Sequence, residues 1–386
     1  MKFVELSSSE FEKASNNFPG SSFYQSYAWT KIKELTGWKH YFVGVLRDNK
    51  LVAISLIIGK KVYFDKYLYY APRGVLLDYN DTEILSFFTK EIKKFLIKKK
   101  GVVLKIDPFI EYQKHDNYGN VIGDFCNRQV IDNLIKLGYK HHGFTTGYTD
   151  EIQLRWSYYL DINRSIEDIK KGMDQRCRRC IRKYEKYPLE LVILGNDDDI
   201  SDFKEVMQST ANRQNHFDRS LEYYKNLNNL LGDRSLLTII YLDRNKYLKE
   251  CTGDKLYDIV MNDKRKKIPI SAGVFIFDKD KLNYVYGGTH KEYMPLMAQY
   301  KMQMEMIKLA MERGLPIYDF GGISGNFTPG SENYGVYEFK RGFGGNVLEY
   351  IGEFDLILDK FGYYIYDIGY KLYRNTKKVI AKILKR

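Results

Sequence analysis

The amino-acid sequence predicts an α/β protein of two consecutive units, each a mixed sheet flanked by helices, with one more helix after them. Three observations lead there. Strand-like and helix-like stretches alternate along the chain, β-branched runs bounded by turn residues giving way to apolar residues at helical spacing. The 386 residues are roughly two to three times the length of an ordinary domain. A hairpin, a helix and a strand ending near an aspartate occur in that order in each half, as an internal duplication would leave them.

The first unit is expected over residues 1–155. "YFVGVLRDNKLVAISLIIGKKV" (41–62) reads as a hairpin turning at Asp48-Asn49. "KYLYYAPRGVLL" supplies a strand ended by a Pro-Arg-Gly turn. "TEILSFFTKEIKKFLIKKKG" (82–101) has helical spacing, with Thr82 as N-cap and Gly101 as its stop. "VVLKIDP" follows as a buried strand and "NRQVIDNLIKLGYK" as an amphipathic helix.

The second unit, 156–350, begins with "WSYYLDI" as a strand and "SIEDIKKGMDQRCRRCIRKYEKY" as one helix. "LELVIL" is a strand, and "DISDFKEVMQSTANRQNH" and "LEYYKNLNNLL" are helices. "SLLTIIYLD" is a strand, and residues 244–269 read as a charged, exposed connection. The hairpin "ISAGVFIFDKDKLNYVYGGT", the helix "PLMAQYKMQMEMIKLAMERG" and the strand "IYDFGG" close the series. In "YEFKRGFGG" (337–345) Gly342, Gly344 and Gly345 are expected to turn the chain sharply after a strand.

Residues 351–386 are expected to pack back on the first unit. Their apolar positions 361, 365, 368, 372, 379, 380 and 383, with eight Lys and Arg against two acids from 359 on, describe one basic amphipathic helix. Such a helix either lies on the body of the protein or touches an anionic membrane surface.

Composition narrows the class. At 44% hydrophobic and 15% aromatic the chain can bury substantial cores and is not disordered. It has no apolar run of about 18 residues and so no expected membrane span. "MKFVELSSSEFEKA" has an acid by position 5 and no apolar stretch of a signal peptide, so a cytoplasmic location is expected, with peripheral contact at the inner face of the membrane through the tail. Cys126, Cys177, Cys180 and Cys251 are expected to be reduced, because "CRRC" sits in a basic helix with no strand before it. A net charge of +12 suits an anionic partner such as phosphate, nucleic acid or lipid; a merely basic surface is the other reading, and composition does not separate the two.

No H-E-x-x-H, G-x-S-x-G or G-x-x-x-x-G-K-[ST] occurs, and no metal is expected. The hairpin–helix–strand order of the second half matches an acyltransferase fold of the N-acetyltransferase (GNAT) type, in which a glycine-rich turn holds the coenzyme A pyrophosphate. Here that turn reads "GGTHKEYMPLMAQYK", without a Q/R-x-x-G-x-G run, which points to another acyl donor. A coenzyme A-dependent N-acyltransferase and a non-catalytic basic RNA- or membrane-binding module are the alternative readings.

In "FYQSYAWTKIKELTGW", "YYAPRGVLLD", "LKIDP", "RCRRCIRKYEKYPLELVIL", "DRSLEYYKNL", "YVYGGT", "YDFGGISG" and "GVYEFKRGFGGNVLEYIGEFDL", taken in order, the chain resembles the Fem-type aminoacyltransferases that build peptidoglycan cross-bridges. The resemblance covers nearly the whole chain. It implies tandem acetyltransferase-like domains in a compact form without the coiled-coil insertion of many members. It also implies aminoacyl-tRNA as co-substrate with no other cofactor, and a peptidoglycan precursor, lipid-linked or nucleotide-linked, as acceptor. A monomer is favoured.

By that resemblance Lys31 and Arg219 fall where the family grips precursor phosphates, and Lys340 where a lysine serves aminoacyl transfer as an ammonium. Tyr223, one helical turn beyond Arg219, would share its face. Asp107, ending "LKID", is either a general base facing the cleft or a turn former. Tyr284 and Tyr286 alternate with Val285, which would put both rings on one face, lining a substrate channel or packing a core. Strand alternation would point Lys340 and Arg341 opposite ways, the chemistry going to Lys340 and surface pairing to Arg341. Arg176, Arg178, Arg179, Arg182 and Lys183 make a patch for tRNA or lipid phosphates, or a plain solvated helix.

Overall fold

Asp48 and Asn49 both take the left-handed conformation (φ 51° and 60°), and the first long hairpin turns on them, joining the strands Lys39–Arg47 and Lys50–Tyr63. The computed structural model describes residues 1–148, 152–214 and 216–383 of the chain. Its contacts divide into two units, the first made of Met1–Gln113, Asp124–Thr145 and the segment from Tyr350 on, the second of Lys114–Gly123 and Thr146–Glu349.

The first unit is a mixed sheet with strand order Lys2–Glu5, Lys39–Arg47, Lys50–Tyr63, Lys66–Ala71, Gly101–Ile106, Phe354–Ile357, Tyr139–His141. Lys66–Ala71 and Gly101–Ile106 pair in parallel, and the helix Thr82–Lys98 crosses between them, burying Leu85, Phe88, Ile92 and Leu96. Its cap is Asp81, whose carboxylate accepts the Ile84 N–H, rather than Thr82. The left-handed residue after it is Lys100 (φ 60°) rather than Gly101, which begins the next strand. Gly101 is needed for space: a Cβ there would lie 2.6 Å from Leu358 Cδ1.

The strand Phe354–Ile357 lies between Gly101–Ile106 and Tyr139–His141. Buried Lys105 fastens it, its ammonium 2.6 Å from Glu353 and 2.7 Å from Asp355. His142 Nε2 stands 3.0 Å from Asp355. Donor atoms of His142, Glu353 and Asp355 lie within 4.8 Å of one another, the spacing of a cation site, and the Lys105 ammonium already supplies the positive charge. Burial opposes ionisation of Asp355, but His142 and Lys105 outweigh it and hold the carboxyl below its ordinary range.

The second unit is a mixed sheet ordered Leu189–Leu194, Ser235–Asp243, Lys267–Phe277, Lys281–Thr289, Ile317–Ile323, Trp156–Asp161, Asn346–Tyr350. The helix Ala298–Glu312 crosses between Lys281–Thr289 and Ile317–Ile323, which pair in parallel. Three expectations change here. The basic helix is two helices, Ile166–Gly172 and Gln175–Tyr184, because Met173 is extended and Asp174 caps the second by accepting the Cys177 N–H at 2.6 Å. Residues 244–269 are not a bare connection: helices Arg244–Glu250 and Tyr257–Asn262 bury Tyr247 and Val260, and Leu256, just before the second, is buried too. "YGVYEFKR" is the helix Tyr334–Arg341, with Tyr337 and Lys340 buried at i, i+3, and not a strand; a lysine is polar by type, so the pattern of apolar residues does not display that spacing.

The C-terminal helix Lys360–Ile383 docks by a side other than the expected one. Tyr363 and Tyr366 are half-buried, while Phe361, Ile365, Ile368 and Leu372 are exposed. Among the expected apolar positions, the side chains at 379, 380 and 383 lie outside the described residues.

Lys105→Met should leave two buried carboxylates without their cation and cost about 3–5 kcal/mol at neutral pH. Asp355 titrates low in the folded protein, so its contribution is present above its unfolded pKa and lost as pH falls. Urea denaturation should therefore show the deficit shrinking only below about pH 4, as Asp355 takes up its proton; equal deficits at about pH 7 and about pH 3 would contradict this account.

Candidate active site

Lys281–Thr289 and Ile317–Ile323 pair only at three positions, from Lys281↔Ile317 to Asn283↔Asp319, and then part. Gly321 (φ 75°) sits just past the divergence. A Cβ on it would lie 2.7 Å from the Tyr284 carbonyl and 4.0 Å from Lys340 Nζ, so only glycine fits. Lys340, 6% exposed, donates to the carbonyls of Gly321 at 3.1 Å and Gly322 at 2.7 Å.

Burial pushes the Lys340 amine down to about 7, against the pull of Asp319. It therefore titrates near neutral pH, where the expected ammonium exists alongside the neutral amine. Asp319 is buried too, yet Lys281, the Gly321 N–H and Ser157 outweigh burial and keep its carboxyl below the usual value. Its Oδ1 accepts from Ser157 Oγ and Gly321 N, each at 2.8 Å, and Oδ2 lies 3.3 Å from Lys281 Nζ. Asp319, Ser157 and Lys281 were not singled out in the sequence; "YDFGG" was the available signal.

Helical geometry decides the Lys340–Arg341 question. Neighbours on a helix lie about 100° apart rather than on opposite faces. Lys340 faces inward, and the Arg341 guanidinium lies 5.1 Å from the Tyr118 ring and 5.6 Å from the Tyr337 ring. The glycines after them serve close packing: a Cβ on Gly345 would strike the Tyr159 carbonyl. No phosphate cradle is needed to explain them.

Tyr284 and Tyr286 are not on one face. The register slips between Val274↔Tyr286 and Phe275↔Tyr284, a bulge that sends the two tyrosines to opposite sides of the sheet. Tyr284 stacks on Phe275 at 5.1 Å, and its hydroxyl lies 3.3 Å from Gln299 Oε1. Tyr286 meets Tyr224 edge-on at 6.2 Å and acts electrostatically on the Arg219 guanidinium, which lies 5.2 Å from the Tyr223 ring. Arg219, Tyr223 and Tyr286 thus form one cluster. Arg219 precedes the helix Leu221–Leu231, whose cap is Ser220.

Lys31 and Asp107 belong to the first unit. Lys31 is half-exposed on the helix Tyr27–Glu34, 3.1 Å from Glu34, and lines an open pocket of about 310 Å³ with Glu5, Ser8, Tyr27 and His40. Asp107 does not present a free carboxylate: one oxygen accepts the Arg73 N–H at 2.8 Å, the other the Tyr70 hydroxyl at 2.9 Å. Burial, outweighing Arg73, pushes Asp107 up to about 7. In the basic helix, Arg176 pairs with Glu338 and Arg178 donates to the carbonyls of Met173 at 2.8 Å and Lys171 at 3.1 Å. Arg179 and Arg182 are exposed and Lys183 is half-exposed. Cys177 and Cys180 are free thiols facing inward.

The site is thus a buried amine bonded to two main-chain carbonyls of one strand, just beyond the point where two parallel strands of a mixed sheet part. The FemAB family pattern matches residues 6–259 and 254–371, and the chain belongs to the FemAB family, a family of aminoacyltransferases. Aminoacyltransferase FemA of Staphylococcus epidermidis is 29% identical over 423 aligned positions, spanning 98% of this chain and 100% of the relative. FemA of Staphylococcus aureus is 28% identical, with 92% and 94% covered. The crystal structure of FemX superposes with a TM-score of 0.79 at 25% identity, covering 95% of this chain and 99% of the other. A tandem GNAT protein from the clavulanic acid pathway shares the fold, with a TM-score of 0.53 at 8% identity over 92% and 98% of the two chains.

With lysines labelled at 13Cε, one resonance should titrate near pH 7 and be missing from Lys340→Met. Folded Lys340 binds fewer protons than unfolded between about 7 and 10.5, so its group contribution makes stability rise with pH over that window. If all lysine resonances titrate above pH 9, the buried amine is not as described.

Proposed function

We propose that this chain transfers an amino acid from aminoacyl-tRNA to the stem-peptide amine of a peptidoglycan precursor, building an interpeptide bridge, and that its two units are tandem acetyltransferase-like domains. The observation that carries the reading is the buried Lys340 amine, held by two carbonyls where the strands part, in a chain of the FemAB family. The likeness to FemA and FemX over nearly the full chain supports the choice of substrates, and the likeness to a tandem GNAT protein supports the domain plan.

The reaction needs one proton moved. The acceptor amine, neutral, attacks the ester carbonyl; a C–N bond forms, the C–O bond to the tRNA ribose breaks, and a proton passes from nitrogen to the departing oxygen. Neutral Lys340 has two N–H groups, one for each carbonyl, and its lone pair takes the proton. Protonated, it has a third N–H to return it. A group titrating near 7 suits both halves. Asp319, charged nearby, favours the protonated form and so strengthens the base.

Arg219, backed by Tyr223 and Tyr286, presents a planar cation suited to the precursor's phosphates. Arg179, Arg182 and Lys183 offer exposed cations for tRNA phosphates. We place Lys31 with the precursor contacts and give Asp107 a supporting part, since its oxygens are engaged.

Purified protein, a pool of charged tRNAs, and nucleotide-linked and lipid-linked precursors, read by mass, test the reading directly; no aminoacylated product with either acceptor would overturn it. Lys340→Met should fold, bind precursor and turn over at least about a hundredfold more slowly. Its residual rate should lose a pH dependence centred near 7. Retention of near-full rate would remove Lys340 from the chemistry. Arg219→Ala should raise KM for the precursor, losing a contact of about 1.5–3 kcal/mol, with kcat little changed. An unchanged KM would reassign it.

A further inference from the structure

Over its described side chains the helix Lys360–Ile383 has two apolar sides, one packed against the first unit and one exposed. On the covered side, Tyr363 donates to Asp355 Oδ2 at 2.8 Å, and the carbonyl of buried Gly362 accepts from the Tyr63 hydroxyl at 2.9 Å. On the other side, Phe361, Ile365, Ile368 and Leu372 recur at steps of four, three and four and so line one stripe. Phe361 is 75% exposed and Leu372 63%. No helix of the described residues is long and apolar enough to cross a membrane, so the stripe does not belong to a span.

A second, separate element stands beside it. Phe64, 88% exposed, is the tip of the turn between the strands Lys50–Tyr63 and Lys66–Ala71. The residues flanking that tip are fastened to the helix start: Tyr63 to the Gly362 carbonyl, and Lys66 Nζ to Asp359 at 2.7 Å. Phe64 and Phe361 are thereby held next to one another's elements rather than free to fold inward.

The charge around these side chains says what covers them. Asp65 and Asp359 are paired with Lys100 and Lys66, Lys61 and Lys360 are exposed close by in the chain, and the sequence from 359 on is basic, with eight Lys and Arg against two acids. A second copy of this chain would set that basic surface against itself, in a protein of net charge +12. An apolar stripe bordered by lysines matches the boundary between headgroups and acyl chains of an anionic bilayer.

We propose that the Phe64 tip and the Phe361–Leu372 stripe seat this chain on an anionic membrane surface, the apolar side chains entering the headgroup region and the lysines facing lipid phosphates. This does not rest on the transfer chemistry, which the second unit carries.

The test is flotation of the full chain with phosphatidylcholine vesicles, with and without phosphatidylglycerol, at low and high salt. Binding should require phosphatidylglycerol, weaken with salt, and fall about tenfold or more in Phe64→Ser/Phe361→Ser/Leu372→Ser. All three positions are exposed, so the melting temperature should not change, and the same preparation should keep its transfer rate on a nucleotide-linked acceptor. Failure of the intact chain to float at low salt overturns the proposal, as does full binding by the triple variant. Sedimentation velocity without vesicles gives the remaining outcome: a dimer that the triple variant dissolves would assign the stripe to a second copy and overturn the lipid assignment.

Discussion

The second unit is organised around the burial of one nitrogen. Lowering a lysine from 10.5 to about 7 corresponds to about 5 kcal/mol against holding its charge, so everything touching Lys340 has to suit both protonation states. Two main-chain carbonyls do this, since they accept from an amine and an ammonium alike. They point at the nitrogen because the strand bends at Gly321, and the bend is possible because that residue has no side chain to meet the Tyr284 carbonyl. The helix Tyr334–Arg341 must then aim position 340 inward, and the tight passage of Gly345 against Tyr159 lets the chain return to the sheet.

Lys105 shows how much environment decides. It is nearly as buried as Lys340, but two carboxylates contact it and hold it charged, well above the ordinary lysine value. Lys340 touches only neutral carbonyls and feels Asp319 without contact. One lysine is a fixed strut and the other is a titrating group. The two carboxylates that separate these fates come from a segment almost 250 residues away in sequence, which is why no local reading of "LKID" distinguishes a strut from a base.

Much of the fold was legible because its signals are local: Asp48-Asn49 for the hairpin turn, periodic apolar residues for Thr82–Lys98, β-branched runs for Gly101–Ile106 and Ser235–Asp243. Misreadings arose where tertiary contact overrides pattern. Lys340 counted as polar although it is buried, so its helix passed for a strand end. The single-residue bulge at Val285 has no composition of its own, yet it sends Tyr284 and Tyr286 to different faces. Asp107 looked free because its partners, the Arg73 N–H and the Tyr70 hydroxyl, sit in another strand and turn. In the site, the family resemblance pointed to Lys340 and Arg219; Asp319, which acts on Lys340, and its partners Ser157 and Lys281 became visible only in three dimensions.

The strand Phe354–Ile357 occupies an interior place in the first sheet, between neighbours that precede it by more than 200 residues. On the ribosome, therefore, the first part of the chain to emerge cannot be the first to finish. Until residue 357 has left the exit tunnel, Gly101–Ile106 and Tyr139–His141 present open edges and Lys105 has no counter-charge. The second unit is translated in full while those edges wait, so the early sheet depends on the late chain for its closure. Premature termination anywhere before residue 354 would release a protein whose first half is left unsealed, an aggregation-prone species that cellular quality control would have to clear.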